Sequence, residues 1–203
     1  MTVIQPSFPA MNKALPPETR LARGARPAAA PSGRRRALCL ALCATLLGAC
    51  TPTYNWREVG IADGAARAAF PARVETDTRE IRLAGQSLRF SLTSARVGDA
   101  VFAVGHAALP AALSGDAGAQ RELAAALVRA LHENLGATPP VTPPAYGADI
   151  EVHGQAGGHP VWALGRVWVQ GGLLVEAVAT GSEQGLPPEP AREFVHSLRF
   201  GTG

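Results

Sequence analysis

"VWALGRVWVQGGLLVEAVAT", residues 161–180, decides the fold. Two apolar runs, 160–169 and 173–180, are rich in Val, Leu and Trp and are too short for typical helices. Between them stands Gly171-Gly172. A two-residue hairpin turn needs φ > 0 at both positions, and glycine takes that conformation without steric cost. The stretch therefore predicts two antiparallel strands. Trp162 and Trp168 have even spacing, which puts both on one strand face. Core packing accounts for them, and an aromatic ligand platform is the alternative.

Working outward, the strand pattern continues on both sides. "ADIEVH", 148–153, predicts one more strand before the hairpin. Upstream, "REIRLAGQSLRFSLTSARV" alternates with period two. Ile81 and Leu83 precede a four-residue turn, and Leu88, Phe90 and Leu92 follow it. "AVFAVGHAAL", 100–109, is apolar on both faces and predicts a central strand ended by Pro110. From Ala119 to Leu135 the period changes. Leu123, Leu127, Val128, Leu131 and Leu135 form one helical stripe, capped by Gly136 and followed by Pro139-Pro140. A second helix, about Glu189–Arg199, puts Ala191, Phe194, Val195 and Leu198 on one face. Pro187, Pro188 and Pro190 suit its first turn. The fold class predicted is α+β: an antiparallel sheet of about five to seven strands, with a mid-chain helix and a C-terminal helix packed on it.

The N-terminal part is of another kind. "RRRALCLALCATLLGAC", 34–50, joins three arginines to an eleven-residue apolar run, Ala37–Leu47. At about 1.5 Å per residue this run covers roughly half of a 30 Å hydrocarbon core, too little to span it. It matches the apolar region of a secretory signal. Leu47-Gly48-Ala49-Cys50 resembles a bacterial lipobox, with Leu, two small residues and then Cys. The resemblance implies cleavage before Cys50, lipid on its sulfur, and acylation of the freed amine. Two or three chains hold a protein firmly where one does not. Thr51 in place of Asp implies export to the outer membrane, facing the periplasm; retention at the inner membrane is the alternative. Residues 1–33 are long for the charged start of a signal, and Met11 is a candidate downstream start. "SGRRRAL", 32–38, also faintly resembles a twin-arginine signal, with the serine misplaced. The organisation expected is a signal peptide over 1–49, a lipidated tether over 50–69, and a single α+β domain over 70–203. Tyr54 and Trp56 sit at headgroup level or pack on the domain edge.

Charge divides at the same boundary. The chain carries +3, but residues 1–49 hold seven Lys and Arg against Glu18 alone, leaving 50–203 at −3. The basic balance thus belongs to the leader, and nucleic-acid binding loses its support. Cys39 and Cys43 also lie in the leader. After it only Cys50 remains, so no disulfide is expected and the domain must rest on its own core. At 154 residues it is long enough.

The ending "VWALGRVWVQGGLLVEAVATGSEQGLPPEPAREFVHSLRF" resembles bacterial PsbP-like α/β/α sandwich domains, and "FPAR" with the meander after it resembles their start. "YNWRE" after the lipobox is similar to uncharacterised Gram-negative lipoproteins. The resemblance covers about residues 68–200. It implies a binding or accessory fold and carries over no catalytic residue.

Chemistry-bearing residues are sparse. Glu151 and His153 share a strand face, and His159 returns across "GQAGG". Two imidazoles and a carboxylate are a possible Zn²⁺ set with one open position. "GQAGG" lacks the Lys-Ser/Thr of a phosphate loop and no helix follows it. None of Ser87, Ser91, Ser94, Ser114, Ser182 and Ser197 lies in Gly-x-Ser-x-Gly. His106 is a candidate general base, and Asp77 with Glu80 a candidate acid pair. The reading is a lipid-anchored, periplasm-facing envelope protein with a non-catalytic binding, scaffold or accessory role. It uses no cofactor or metal, is held to the membrane through its lipid, and acts with an envelope protein as partner. The alternatives are a small metal-dependent hydrolase built on Glu151, His153 and His159, and a small-ligand or lipid carrier with an apolar cavity between sheet and helix.

Overall fold

The structure, a computed structural model, describes residues 53–201. The signal segment, the lipobox Leu47-Gly48-Ala49 and Cys50 lie outside them. The 171–172 turn closes a hairpin of β7 (His159–Gln170) and β8 (Leu173–Gly181), with Gln170 paired to Leu173. Both glycines have positive φ, 59° and 74°, as the turn requires.

This hairpin lies within a six-stranded antiparallel sheet of order β3-β4-β5-β8-β7-β6. Its other members are β3 (Glu75–Leu83), β4 (Gln86–Val97), β5 (Ala100–Ala108) and β6 (Ile150–Ala156). β5 is central, as its two apolar faces imply. The β3–β4 turn is two residues, Ala84-Gly85, where the sequence suggested four: pairing extends to Leu83–Gln86 because both turn residues adopt positive φ.

Two helices cover opposite faces. α1 (Ala111–Ser114) is a single turn. α2 (Ala117–Asn134) begins at Asp116, whose carboxylate accepts from the Gly118 and Ala119 amides at 2.8 and 3.0 Å. Leu123, Leu127 and Leu131 pack with Leu88, Phe90, Ala163, Val167 and Leu174 of the sheet. α3 (Pro188–Ser197) packs on the other face, where Phe194 and Val195 meet Phe102, Leu164, Val175 and Ala177.

A second sheet completes that layer. β1 (Arg57–Ile61), β2 (Ala66–Phe70) and β9 (Arg199–Phe200) pair antiparallel in the order β1-β2-β9. Residues 57–69, expected as tether, are thus mostly sheet. The apolar alternation of Ile61, Ala66, Ala68 and Phe70 is short and interrupted by the turn, but all four side chains are buried. Tyr54 and Trp56 stack on each other at 5.9 Å and meet Phe102 edge-on, so they pack on the domain. Among the described residues, no helix is long and apolar enough to cross a membrane. Among the described residues the fold is α+β, with two antiparallel sheets and three helices.

Candidate functional site

α2 is too narrow to cover its face of the sheet, and a cleft opens beside it. The segment after α2 is rich in proline, so it neither continues the helix nor pairs as a strand. It returns to the sheet at Gly147, whose amide donates to the Val167 carbonyl at 2.9 Å. Gly147 has φ of 72°, and a Cβ there would stand 2.6 Å from the Trp168 indole nitrogen, so only glycine lets the loop dock. Between this loop and α2 lies a cavity of about 360 Å³. Ala124, Ala125 and Val128 form one wall, Pro143 and Pro144 the other, and Val167 the floor. Its size falls in the range of small-molecule clefts, roughly 300–1,000 Å³. Two polar groups border it. The Arg121 guanidinium and the Tyr146 hydroxyl have no hydrogen-bond or ion-pair partner among the described residues. Tyr146 is 43% exposed, one of the exposed large side chains of the described residues.

The residues singled out from the sequence fall elsewhere. Glu151 and His153 do come together: His153 Nε2 lies 2.9 Å from Glu151 Oε1, and its ring stacks on Trp162. Glu183 stands 3.9 Å from the other ring nitrogen. His159 does not join them. It pairs with Ala156, three positions further along the hairpin from the His153–Trp162 pair, and strand alternation turns it to the opposite face. Among the described residues no group of three or more His, Cys, Asp or Glu is placed to hold a metal ion. Glu151 and His153 border a shallow cleft of about 250 Å³ with Trp162, Leu186 and Arg192.

His106 lies on the α3 face of β5. Its Nδ1 is enclosed without a hydrogen-bond partner, and burial lowers its pKa against the opposing pull of Asp63. The hydroxyl in register with it, Ser91, is bonded instead to Thr78 at 2.8 Å. Asp77 and Glu80 lie exposed on edge strand β3, and their odd separation points them to opposite faces, so they form no pair. The Trp162 indole donates to the Leu186 carbonyl at 3.1 Å, and Trp168 meets Phe200 edge-on. Trp162 belongs to the core, and the half-buried Trp168 packs against it.

Two features escaped the sequence reading. Asp149, Arg166 and His196 meet at the β6 edge, drawn from the loop before β6, from β7 and from α3. Arg166 Nε donates to Asp149, and His196 Nε2 lies 2.6 Å from Arg166 Nη2 and 3.1 Å from Asp149 Oδ1. Burial pushes the Asp149 pKa up, but the hydrogen bonds and charges of Arg166 and His196 outweigh it and hold the carboxyl below its ordinary value. No spacing rule links residues 149, 166 and 196. The second is Glu176, the single acid in "LLVEAVAT". It lies on the α2 face without a partner, and burial pushes its pKa up to about 7. A lone carboxylate inside an apolar strand was the available signal.

No known protein family matches the chain, and no curated protein matches it significantly. Among solved structures, it is similar to the cyanobacterial PsbP protein CyanoP from Synechocystis sp. PCC 6803. The match covers 77% of this chain and 99% of that one, at 10% identity and a TM-score of 0.40.

Proposed function

We propose that this chain is a lipid-anchored, periplasm-facing envelope protein with a non-catalytic binding role, and that its α2 cleft holds a small amphiphile. The anchor rests on the order of charge block, short apolar run and Leu47-Gly48-Ala49-Cys50. The binding role rests on one observation: an apolar cavity of about 360 Å³ whose rim carries an unpaired guanidinium and an unpaired phenol. Apolar walls take a hydrocarbon body. Arg121 takes an anionic head through charge-assisted hydrogen bonds, and the Tyr146 hydroxyl adds a donor. A medium-chain carboxylate has that chemistry. The cleft holds no nucleophile, acid pair or metal set, so binding is the reading that fits.

Two experiments test it. Cys50→Ser should leave the precursor unprocessed and move the protein out of the membrane fraction; unchanged maturation and sedimentation would refute the anchor. Calorimetry of the purified chain should show saturable binding of octanoate and at least tenfold weaker binding of neutral octan-1-ol. Equal affinity for the two would refute the role given to Arg121.

A further inference from the structure

Glu176 stands in the middle of β8, in register between Gly105 of β5 and Val167 of β7. Val175 and Ala177 belong to the α3-side core, so Glu176 points toward α2. There it floors a separate cavity of about 160 Å³, on the side of α2 away from the octanoate-sized cleft. Leu92, Ala103, Leu127 and Leu131 form the walls, and Asn134, the last residue of α2, stands at the mouth. The space exists because β5 presents only Ala103 and Gly105 here. Gly105 is fixed by its neighbour, since a Cβ there would lie 2.3 Å from the tip of the Phe90 ring.

Glu176 is largely but not wholly covered, and it lines this cavity. Yet among the described residues nothing bonds it, and the Asn134 amide has no partner either. An unpaired carboxyl in apolar surroundings opposes folding, and such groups concentrate at functional sites.

We infer that this cavity binds a small primary alkylammonium ion, with Glu176 as its counter-ion and the Asn134 carbonyl accepting a second N–H. The alternatives fit less well. A hydrated Ca²⁺ or Mg²⁺ needs about six or more oxygen ligands, and one carboxyl and one amide among leucines do not supply them. An anion meets a negative floor. A neutral hydrocarbon leaves the carboxyl unpaired. An alkylammonium brings three N–H donors on an apolar body. At roughly 30 Å³ per water the cavity equals about five waters, enough for a few heavy atoms.

Propylammonium chloride titrated into the purified full chain, followed by ¹H–¹⁵N spectra, tests this. Saturable shifts are expected at the amides of Gly105, Ala130 and Val178, with no such response to propionate. Glu176→Gln, nearly isosteric, should weaken binding at least tenfold. Ala130→Leu fills the mouth while keeping the carboxyl, and should weaken it comparably. Absence of saturable shifts in the unsubstituted chain, or undiminished affinity in either variant, would overturn the inference.

Discussion

On the sheet face that meets α3, Phe194 closes edge-on against both Phe70 and Phe102, with ring centres 5.1 and 5.4 Å apart. On the face that meets α2, a single helix lies across the strands and leaves a cavity on either side. At its centre the α3 face is sealed by a helix and a second sheet, a shallow cleft of about 250 Å³ lies at its β6–β7 edge, and its polar groups are mostly paired: Trp162 with Leu186, and Asp149 with Arg166. Among the described residues, only the His106 Nδ1 is enclosed there without a partner. The α2 face keeps a guanidinium, a phenol and a carboxyl unpaired beside apolar walls. Both faces bury an apolar core, but the α2 face alone leaves unpaired polar groups beside apolar cavities, where a ligand can pair them.

The sharpest way to break the comparison is to open the sealed face. Phe194 is fully buried, and Phe194→Ala should cost about 3–5 kcal/mol in urea unfolding. A cost below about 1 kcal/mol would mean that the aromatic cluster on this face is not closely packed.

The second test uses pH, because the two faces carry carboxyls shifted in opposite directions. Glu176 has a raised folded pKa, so its folded form keeps a proton that the unfolded chain releases. Its contribution is complete below about pH 4.5 and is lost as pH rises toward 7. At about 1.4 kcal/mol per unit, the loss is on the order of 2–3 kcal/mol after allowing for its partial exposure. Glu176→Gln should remove this decline and leave the protein more stable at pH 8. Asp149 works the other way: its folded pKa is lowered, so its contribution is present above the ordinary aspartate value and fades as pH falls below it. Because the Asp149 side chain is 42% exposed, Asp149→Asn should cost only about 1 kcal/mol or less at pH 7. Unfolding curves from pH 3 to 8 measure both effects.

A smaller effect belongs to the placement of α2. Asp116→Ala removes the only side-chain cap of that helix and should cost about 1 kcal/mol in urea unfolding. The loss should be accompanied by faster amide exchange at Gly118 and Ala119.

The sheet and both long helices were legible in the sequence because their signals are local. Alternation around Phe90, the 171–172 turn and the Leu123–Leu135 stripe each need only neighbours in the chain. The second sheet was not legible. β1 and β2 carry many exposed or small residues, and β9 contributes only Arg199 and Phe200, so none has a strand signal apart from its partners. The candidate sites divide similarly. Glu151 and His153 share a strand, and their contact was readable; His159 was misplaced because its face depends on where the hairpin turns. Arg121 and Tyr146 gain meaning only when α2 and the proline loop settle on the sheet, which no spacing in the chain encodes; Glu176 is marked in the sequence as the lone acid of its strand, but the cavity it floors depends on the same packing.

The central claim is that binding belongs to the α2 face. Mapping amide shifts on the full chain during titration with octanoate tests it most directly. The account predicts saturable changes grouped at Arg121, Ala125, Val128 and Tyr146, weakened at least tenfold in Arg121→Gln with unchanged unfolding stability. Changes grouped instead around His153, Trp162 and Arg192, or no saturable change anywhere, would contradict it.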